Sequence, residues 1–290
     1  MTSILITGGT GTFGRAFTQK LLDDGHYDRI CIYSRGEHAQ ASMREEIGND
    51  DRLRFFIGDV RDQARLKRAM NGVATVVHAA ALKRIEVGAY NPIEMARTNV
   101  DGAANVVEAA QDAGVGKVVM LSTDKAFAPV SPYGHSKALA ESVMLAANNT
   151  GATRFAVCRY GNVWNAQGSV VPRWRALIER GARSLPVTDP ECTRFFMSAE
   201  DAVELVLKTI RVMQGGELLV PTLDAYRLGD LVAAIGAAPA VIGLPAWEKR
   251  HESMIEGASS ADARRMTIAE LRAELAAIQF PMLALAEAAE

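Results

Sequence analysis

A chain of 290 residues is long enough for one large α/β domain with a smaller lobe, and its core can bury most of its apolar surface on folding. A hydrophobic content of 49%, a charged content of 23% and a net charge of −2 are ordinary for a soluble globule and offer no positive field to grip nucleic acid or an acidic membrane. No apolar run reaches the ~20 residues of a bilayer span, and Met1-Thr2-Ser3 runs into a strand without a signal-peptide pattern, so the expected location is the cytoplasm, with neither membrane nor nucleic acid as partner. Cys31, Cys158 and Cys192 are far apart and lack metal-ligand spacing, which suits a reducing compartment and a protein without a metal.

Short apolar runs predict strands at 4–7, 30–33, 53–57, 75–78, 118–121 and 155–159. Between them, residues 15–24, 63–70, 92–113 and 133–148 carry helical period, the third with Pro92 in its first turn, where a helix tolerates proline. This alternation predicts an α/β fold, a Rossmann-type doubly wound parallel sheet. After residue 160 the rhythm changes, with Gly, Pro and Arg recurring through 161–194. Residues 1–160 are therefore expected to form a dinucleotide-binding domain, to which later segments return, and 161–290 mainly a smaller C-terminal substrate lobe. Thr267 and Glu270 predict a capping box opening an Ala/Leu/Glu helix, and the Ala-rich tail after Pro281 is expected to fray.

The first strand leads into Thr7-Gly8-Gly9-Thr10-Gly11-Thr12-Phe13-Gly14. Gly8, Gly11 and Gly14 permit a tight turn, close approach of the backbone to a pyrophosphate and close helix–strand packing; the helix beginning near Thr12 and Phe13 supplies N–H donors and a positive dipole end. At the end of the second strand, where an NAD enzyme carries an acidic residue for the ribose, this chain has Tyr33-Ser34-Arg35. A hydroxyl and a guanidinium suit the 2′-phosphate of NADP, because arginine pairs with phosphate through forked, charge-assisted bonds. Glu37 nearby leaves NAD open, and Arg35 also reads as a solvated loop residue. Asp59-Val60 after the third strand reads as an adenine contact and Ala79-Ala80-Ala81 after the fourth as room for the cofactor, although both suit plain turns and packing. Asn99 is counted with the cofactor contacts.

Tyr133 and Lys137 lie one turn apart on one helix face, where an ammonium would lower the pKa of a phenol and make it a base toward a substrate hydroxyl. They follow the fifth strand, whose carboxyl end is where ligands meet an open α/β sheet. That strand ends in Ser122-Thr123-Asp124-Lys125, which places Thr123 to hydrogen-bond the reacting hydroxyl.

The glycine loop with Tyr-x-x-x-Lys resembles the extended short-chain dehydrogenase/reductase superfamily. More narrowly, His78-Ala79-Ala80-Ala81-Leu82-Lys83, Ser122-Thr123-Asp124-Lys125-Ala126, Arg159-Tyr160-Gly161-Asn162-Val163 and Thr193-Arg194-Phe195 resemble the inverting UDP-N-acetylglucosamine 4,6-dehydratases, a resemblance running from residue 1 to about residue 255. It implies a nucleotide-sugar substrate and a homo-oligomer, a dimer or larger. In that reading Tyr133 takes the 4-hydroxyl proton, Lys125 removes the hydrogen on carbon 5, and Asp124 protonates the leaving oxygen on carbon 6. Acid and cation side by side titrate as a coupled pair. Dehydratases that retain configuration at carbon 5 typically carry Glu where this chain has Lys125. The resemblance also implies Arg194 at the nucleotide diphosphate with Asn162 and Arg173 near it, and Lys83 at the sugar.

Two places depart from the family. Trp164 stands where an aliphatic residue is commoner, and Pro245 where an arginine meets the diphosphate; either Arg250 takes over or the nucleotide or sugar differs, and Glu252 remains as a ribose or base contact. Two rivals remain: a nucleotide-sugar 4-epimerase, which needs the tyrosine and lysine but no elimination pair, and a non-catalytic NADP-binding sensor, which typically lacks both.

Overall fold

The computed structural model describes residues 2–283; of the Ala-rich tail, the part from 284 onward lies outside the described residues. Two units are built, one from the chain up to residue 160 with 199–221, the other from 161–198 with the chain from 222. The first unit therefore reclaims 199–221 from the expected C-terminal lobe.

In the first unit, β1 (Ser3–Thr7), β2 (Arg29–Ser34), β3 (Leu53–Ile57), β4 (Thr75–His78), β5 (Lys117–Thr123), β6 (Arg154–Tyr160) and β10 (Leu218–Leu219) form one sheet in the order β3-β2-β1-β4-β5-β6-β10. Every pairing is parallel. Helices cover both faces of such a sheet, which is why β1 is buried at all five positions and carries the apolar run Ile4-Leu5-Ile6 between Ser3 and Thr7. Leu5, Val76, Val118 and Phe155 of the strands join Leu66, Val106 and Met144 of the helices in its core. The chain reverses direction across the sheet between β1 and β4, so the carboxyl ends of these strands mark the switch point where ligands bind doubly wound sheets.

The helices of this unit are α1 (Thr12–Asp24), α2 (Glu37–Ile47), α3 (Gln63–Met70), α4 (Ile85–Tyr90), α5 (Pro92–Ala96), α6 (Gly102–Asp112), α7 (Pro132–Ala146) and α9 (Ala199–Val212). The single helix expected over 92–113 is broken: α5 passes through a π turn, Arg97–Asp101, into α6. Of these α2, α4 and α9 were not expected; α2 is a mostly exposed helix with three Glu among its eleven residues, which carries little apolar period. α7 starts at Pro132 because the Ser131 hydroxyl accepts from Gly134 N (3.1 Å) and Pro132 needs no N–H partner in the first turn.

In the second unit β7 (Asn162–Val163) pairs with β9 (Thr193–Met197), which pairs antiparallel with β11 (Ala225–Arg227). β8 (Ser184–Val187) pairs with β12 (Ala238–Val241), and β13 (Ser253–Ile255) with β14 (Ala258–Ser259). Helices α8 (Val170–Glu179), α10 (Leu228–Ile235) and α11 (Ile268–Ala277) close a separate core around Trp164, Trp174, Leu231 and Leu271. α11 opens with the expected capping box: Thr267 Oγ1 accepts from Glu270 N (3.2 Å) and the Glu270 carboxylate accepts from Thr267 N (2.7 Å). Among the described residues no helix is long and apolar enough to cross a membrane, and no group of three His, Cys, Asp or Glu side chains converges as a metal site. All three cysteines are buried and free.

Candidate active site

At the carboxyl end of β1 the backbone turns through Gly8 at φ +67°, and a Cβ on Gly8 would lie 2.8 Å from the Ala80 backbone. The glycine loop and Ala79-Ala80-Ala81 therefore run side by side, held by Ala79 N to Thr7 O (3.1 Å) and Ala80 N to Thr7 Oγ1 (3.3 Å). α1 begins after Gly11 with no side-chain cap and no acidic residue in its first turn, so its N–H groups and dipole end suit a diphosphate. Gly14 packs against the Gly9 carbonyl, and Phe13 stacks on Phe17 at 5.2 Å.

At the end of β2, Ser34 is buried and its hydroxyl accepts from Gln40 Nε2 (3.0 Å), a contact made possible by the unexpected α2. Gln40 thus fixes the Ser34 oxygen as an acceptor without using the hydroxyl's own proton, and the exposed Arg35 has one long ion pair, 3.9 Å, with Asp59. Asp59 is oriented by Arg61, whose hydrogen bonds hold its carboxyl below the usual carboxylate range, with Arg35 adding to the effect. Val60 is buried and its carbonyl accepts from Asn105 Nδ2 (2.9 Å). Asn99, in the π turn, accepts from Leu82 N (2.8 Å) and donates to Leu82 O and Ser136 Oγ (2.9 Å each). It ties the loop after β4 to α7, and both its amide protons are occupied by protein acceptors.

The residues expected to be catalytic come together at the end of β5 and the start of α7. Asp124 is fully buried; its Oδ1 accepts from Thr123 Oγ1 (2.9 Å) and from Lys125 Nζ (3.0 Å), while its Oδ2 is buried with no hydrogen-bond partner among the described residues. Tyr133 joins this row through a hydrogen bond with Thr123. Gly134 makes the arrangement possible, because a Cβ there would stand 2.3 Å from the Lys125 carbonyl.

The electrostatics correct one expectation. Burial pushes the Tyr133 phenol up to about 12; the cation that opposes this is Lys125, with Asp124 working against it and the Thr123 hydrogen bond helping. Lys137 is instead buried with its Nζ donating to Leu121 O (2.6 Å), and desolvation lowers it to about 8 although Glu141 pulls the other way. Three groups around these residues went unnoticed in the sequence. Arg15 donates to Thr10 O (3.1 Å) at the glycine loop, and His78 bonds Thr7 Oγ1 (2.7 Å). Glu141 forms a buried ion pair with Arg159. Arg15 follows Gly14 directly, and Glu141 lies four residues after Lys137, so helical spacing was the available signal.

The residues expected to hold the substrate are more dispersed. Lys83 is exposed on the loop after β4. In the second unit Asn162 is half-buried in β7, and Arg173 is exposed in the first turn of α8. Arg194 is only 4% exposed; it donates to Thr193 O (2.7 Å), Arg250 O (3.1 Å) and the Glu248 carboxylate, so its guanidinium is turned onto its own unit. Arg250 is well exposed and pairs with Asp189 at 2.7 Å. Glu252 is 1% exposed and lies 3.0 Å from the Nζ of the half-buried Lys249. Pro245 accepts a turn bond from Glu248 N (3.0 Å), and Trp164 packs against Phe196 and Tyr226.

A family model described as polysaccharide biosynthesis protein matches residues 4–271. The chain is 45% identical over 263 residues to a UDP-N-acetylglucosamine 4,6-dehydratase (inverting) of Campylobacter jejuni, covering 89% of this chain and 78% of that protein. It is 39% identical over 273 residues to a protein of Rickettsia prowazekii named UDP-glucose 4-epimerase, covering 90% and 80%. Among solved structures, Pen from Bacillus thuringiensis superposes with a TM-score of 0.91 at 28% identity over 96% of this chain and 98% of that one. DesIV of Streptomyces venezuelae, a dTDP-glucose 4,6-dehydratase solved with NAD and TYD, gives 0.81 at 23% identity over 95% and 98%, a likeness of fold.

Proposed function

Because the chain belongs to the polysaccharide biosynthesis protein family, we propose that it is an NADP-dependent lyase, a UDP-N-acetylglucosamine 4,6-dehydratase that inverts carbon 5. The observation that carries this reading is the Asp124–Lys125 couple at 3.0 Å, linked through Thr123 to Tyr133. An epimerase has no use for a second acid and base beside its tyrosine.

The dinucleotide, when bound, supplies the hydride acceptor and donor together with the positive charge of its nicotinamide. Gly8, Gly11, Thr12, Phe13 and Gly14 would hold its diphosphate, Arg35 its 2′-phosphate, Asp59 and Val60 its adenine end, and Ala79–Ala81, Asn99, Tyr133 and Lys137 its nicotinamide half. Tyr133 takes the proton of the sugar 4-hydroxyl, and the resulting 4-ketone acidifies the hydrogen on carbon 5. Moving one proton along the 3.0 Å contact turns the Lys125–Asp124 ion pair into an amine and a carboxylic acid with no change in net charge. The Lys125 amine then takes the carbon 5 proton, the C–H electron pair forms the C5–C6 double bond, and the C6–O bond breaks as Asp124 protonates the departing oxygen, releasing water. After carbon 6 is reduced, carbon 5 takes a proton on the face opposite to the one Lys125 deprotonated, which gives inversion.

Arg173, Arg250 and Arg194 are the cations proposed for the diphosphate of the sugar nucleotide, Lys83 for the sugar, and Asn162 and Glu252 for positioning the nucleotide. The reading includes a cytoplasmic location and a dimer or larger assembly, as the resemblance implies.

Incubation with UDP-N-acetylglucosamine in deuterated buffer tests it: the product should lack one water and carry deuterium at carbon 5. An isomer of unchanged mass would mean a 4-epimerase, and retained dinucleotide with no turnover of any nucleotide sugar would mean a sensor. Calorimetry with NADP and NAD decides the Arg35 assignment, for which tighter binding of NADP is expected and equal affinities would count against it.

A further inference from the structure

We propose that Arg15 is a positioning residue of the dinucleotide cradle: its guanidinium bridges the glycine loop to α2 and thereby holds the turn at 8–11 in the conformation that receives a diphosphate. The inference rests on the dinucleotide reading for its ligand and on hydrogen-bond geometry for its substance. Arg15 Nε donates to Thr10 O (3.1 Å), Nη2 to Ala39 O (3.2 Å) and Nη1 to the Glu46 carboxylate. The first contact lies in the glycine loop and the other two in α2, so one side chain joins the diphosphate loop to the helix that follows β2.

The peptide between Thr10 and Gly11 is gripped at both ends. Its carbonyl accepts from the Arg15 side chain, and its N–H, which a trans peptide points the opposite way, donates to Gly8 O (3.0 Å). The next carbonyl, Gly11 O, accepts from Arg15 N (2.9 Å) as the first bond of α1. Two consecutive carbonyls are therefore held by Arg15, and the N–H of Thr12, on the far side of the second peptide, is turned out of the helix start, the direction from which an anion approaches. Glycine does not fix such a turn by itself. Gly8, Gly9 and Gly11 give three of its four residues the widest backbone freedom, so its order has to be imposed by a group outside it. The far end of the clamp is anchored: Gln40 Nε2 lies within hydrogen-bond distance of Ser34 O (3.1 Å), Ser34 Oγ (3.0 Å) and Phe56 O (2.9 Å), which pins α2 to β2 and β3 beside the Ala39 carbonyl that Arg15 uses.

Arg15→Met keeps the aliphatic stem and loses the donors. In the free protein it should speed hydrogen exchange of the Gly11 amide, followed by NMR of nitrogen-15-labelled protein. By calorimetry it should weaken NADP, NAD and ADP alike by about tenfold, the scale of one lost charge-assisted hydrogen bond. All three carry the diphosphate and only NADP carries the 2′-phosphate, so an equal loss is the signature of a disordered turn. Glu46→Gln, which loosens Arg15 from α2 alone, should leave the Gly11 amide and the three affinities near those of the wild type. A side chain that served only to fasten α1 to α2 would give matching drops in melting temperature in both variants with no change at Gly11, which would overturn the inference. So would unchanged affinities in a folded Arg15→Met protein, and so would a loss confined to NADP, which would make Arg15 a ligand of the 2′-phosphate. Should Arg15→Met fail to fold, Arg15→Lys retains a cation for Glu46 but has no donor at the Nε position, and the same changes are expected. If the Gly11 amide responds to the substitution while the wild-type protein binds none of the three nucleotides, the dinucleotide reading falls and the hold of Arg15 on the turn stands.

Discussion

Tyr133 starts from an unfavourable position for a base, since its surroundings push the phenol up to about 12 in the protein alone. What lowers it must be cationic and close, and Lys125 is the side chain in the structure that does so. In the proposed mechanism Lys125 has two tasks at two stages, supporting the phenol as a cation and removing the carbon 5 hydrogen as an amine, and the two are separable by experiment. Lys125→Ala should retain dinucleotide binding, because the glycine loop and Arg35 are untouched, but should abolish solvent-deuterium exchange at carbon 5; normal exchange would remove its role as the base. Lys137 poses the opposite problem. Its pKa in the fold, about 8, is below that of a free lysine, so between pH 8 and about 10.4 the unfolded chain binds more protons and stability rises with pH through that window. At neutral pH the buried cation is a burden, on the order of 3 kcal/mol before the loss of its bond to Leu121 O is counted. Lys137→Met should consequently raise the melting temperature at pH 7 while ending turnover, and a lowered melting temperature would show that the bond to Leu121 outweighs the desolvation.

Elements, rather than single residues, hold these groups in register. Gly134 is the contact point between α7 and the turn at 124–126, where a methyl group would stand 2.3 Å from the Lys125 carbonyl and 2.9 Å from Pro129 Cβ. Gly134→Ala should reduce kcat by about 100-fold through a shift of the acid–base couple, with dinucleotide affinity unchanged; loss of affinity as well would mean that the distortion reaches the cradle. The π turn has a similar part, because Asn99 joins the loop after β4 to α7 through three hydrogen bonds. Asn99→Ala leaves the Leu82 amide and carbonyl without those partners and should cost about 2–4 kcal/mol in denaturant unfolding; a loss below ~0.5 kcal/mol, the size of an ordinary surface change, would show water replacing the side chain.

The sequence made the inner strands β1, β2, β4, β5 and β6 legible because both of their faces are buried, leaving apolar runs bounded by turn residues, whereas the two-residue edge strand β10 carried no such run. The glycine loop and the Tyr133, Lys137, Asp124 and Lys125 group were legible because their spacing is local. The π turn was not, because a helical period over 92–113 looks the same whether or not five residues within it widen the coil. α2 was hidden by its exposure, and with it the bond that Gln40 donates to Ser34. The internal pairing of Arg194 with Glu248 joins residues 54 positions apart, a contact no local pattern encodes.

At the level of the whole chain, two separate cores imply two binding ledgers that can be read independently. All the residues proposed to hold the dinucleotide belong to the first unit, whose core is centred on Leu5, Val76 and Val118; Arg173, Arg194, Arg250 and Glu252 belong to the second, built around Trp174, Leu231 and Leu271. A ligand that binds only the folded form adds RT ln(1 + [L]/Kd), about 2.7 kcal/mol at a hundredfold excess over Kd. That increment should appear in the unit that supplies the contacts. Hydrogen exchange with NADP alone should slow the amides of residues 8–14 and 79–82 and those of β1 and β4, leaving β9 and 248–252 near their rates in the free protein. UDP alone should slow residues 193–194 and 248–252, and in doing so must contend with Glu248, which already holds the Arg194 guanidinium. Glu248→Gln would then strengthen UDP binding if the nucleotide displaces that carboxylate, and weaken it if Glu248 serves only to hold Arg194 in place. Protection by UDP that spares 193–194 altogether would withdraw Arg194 from the substrate contacts and leave Arg173 and Arg250, the exposed cations, to carry the diphosphate.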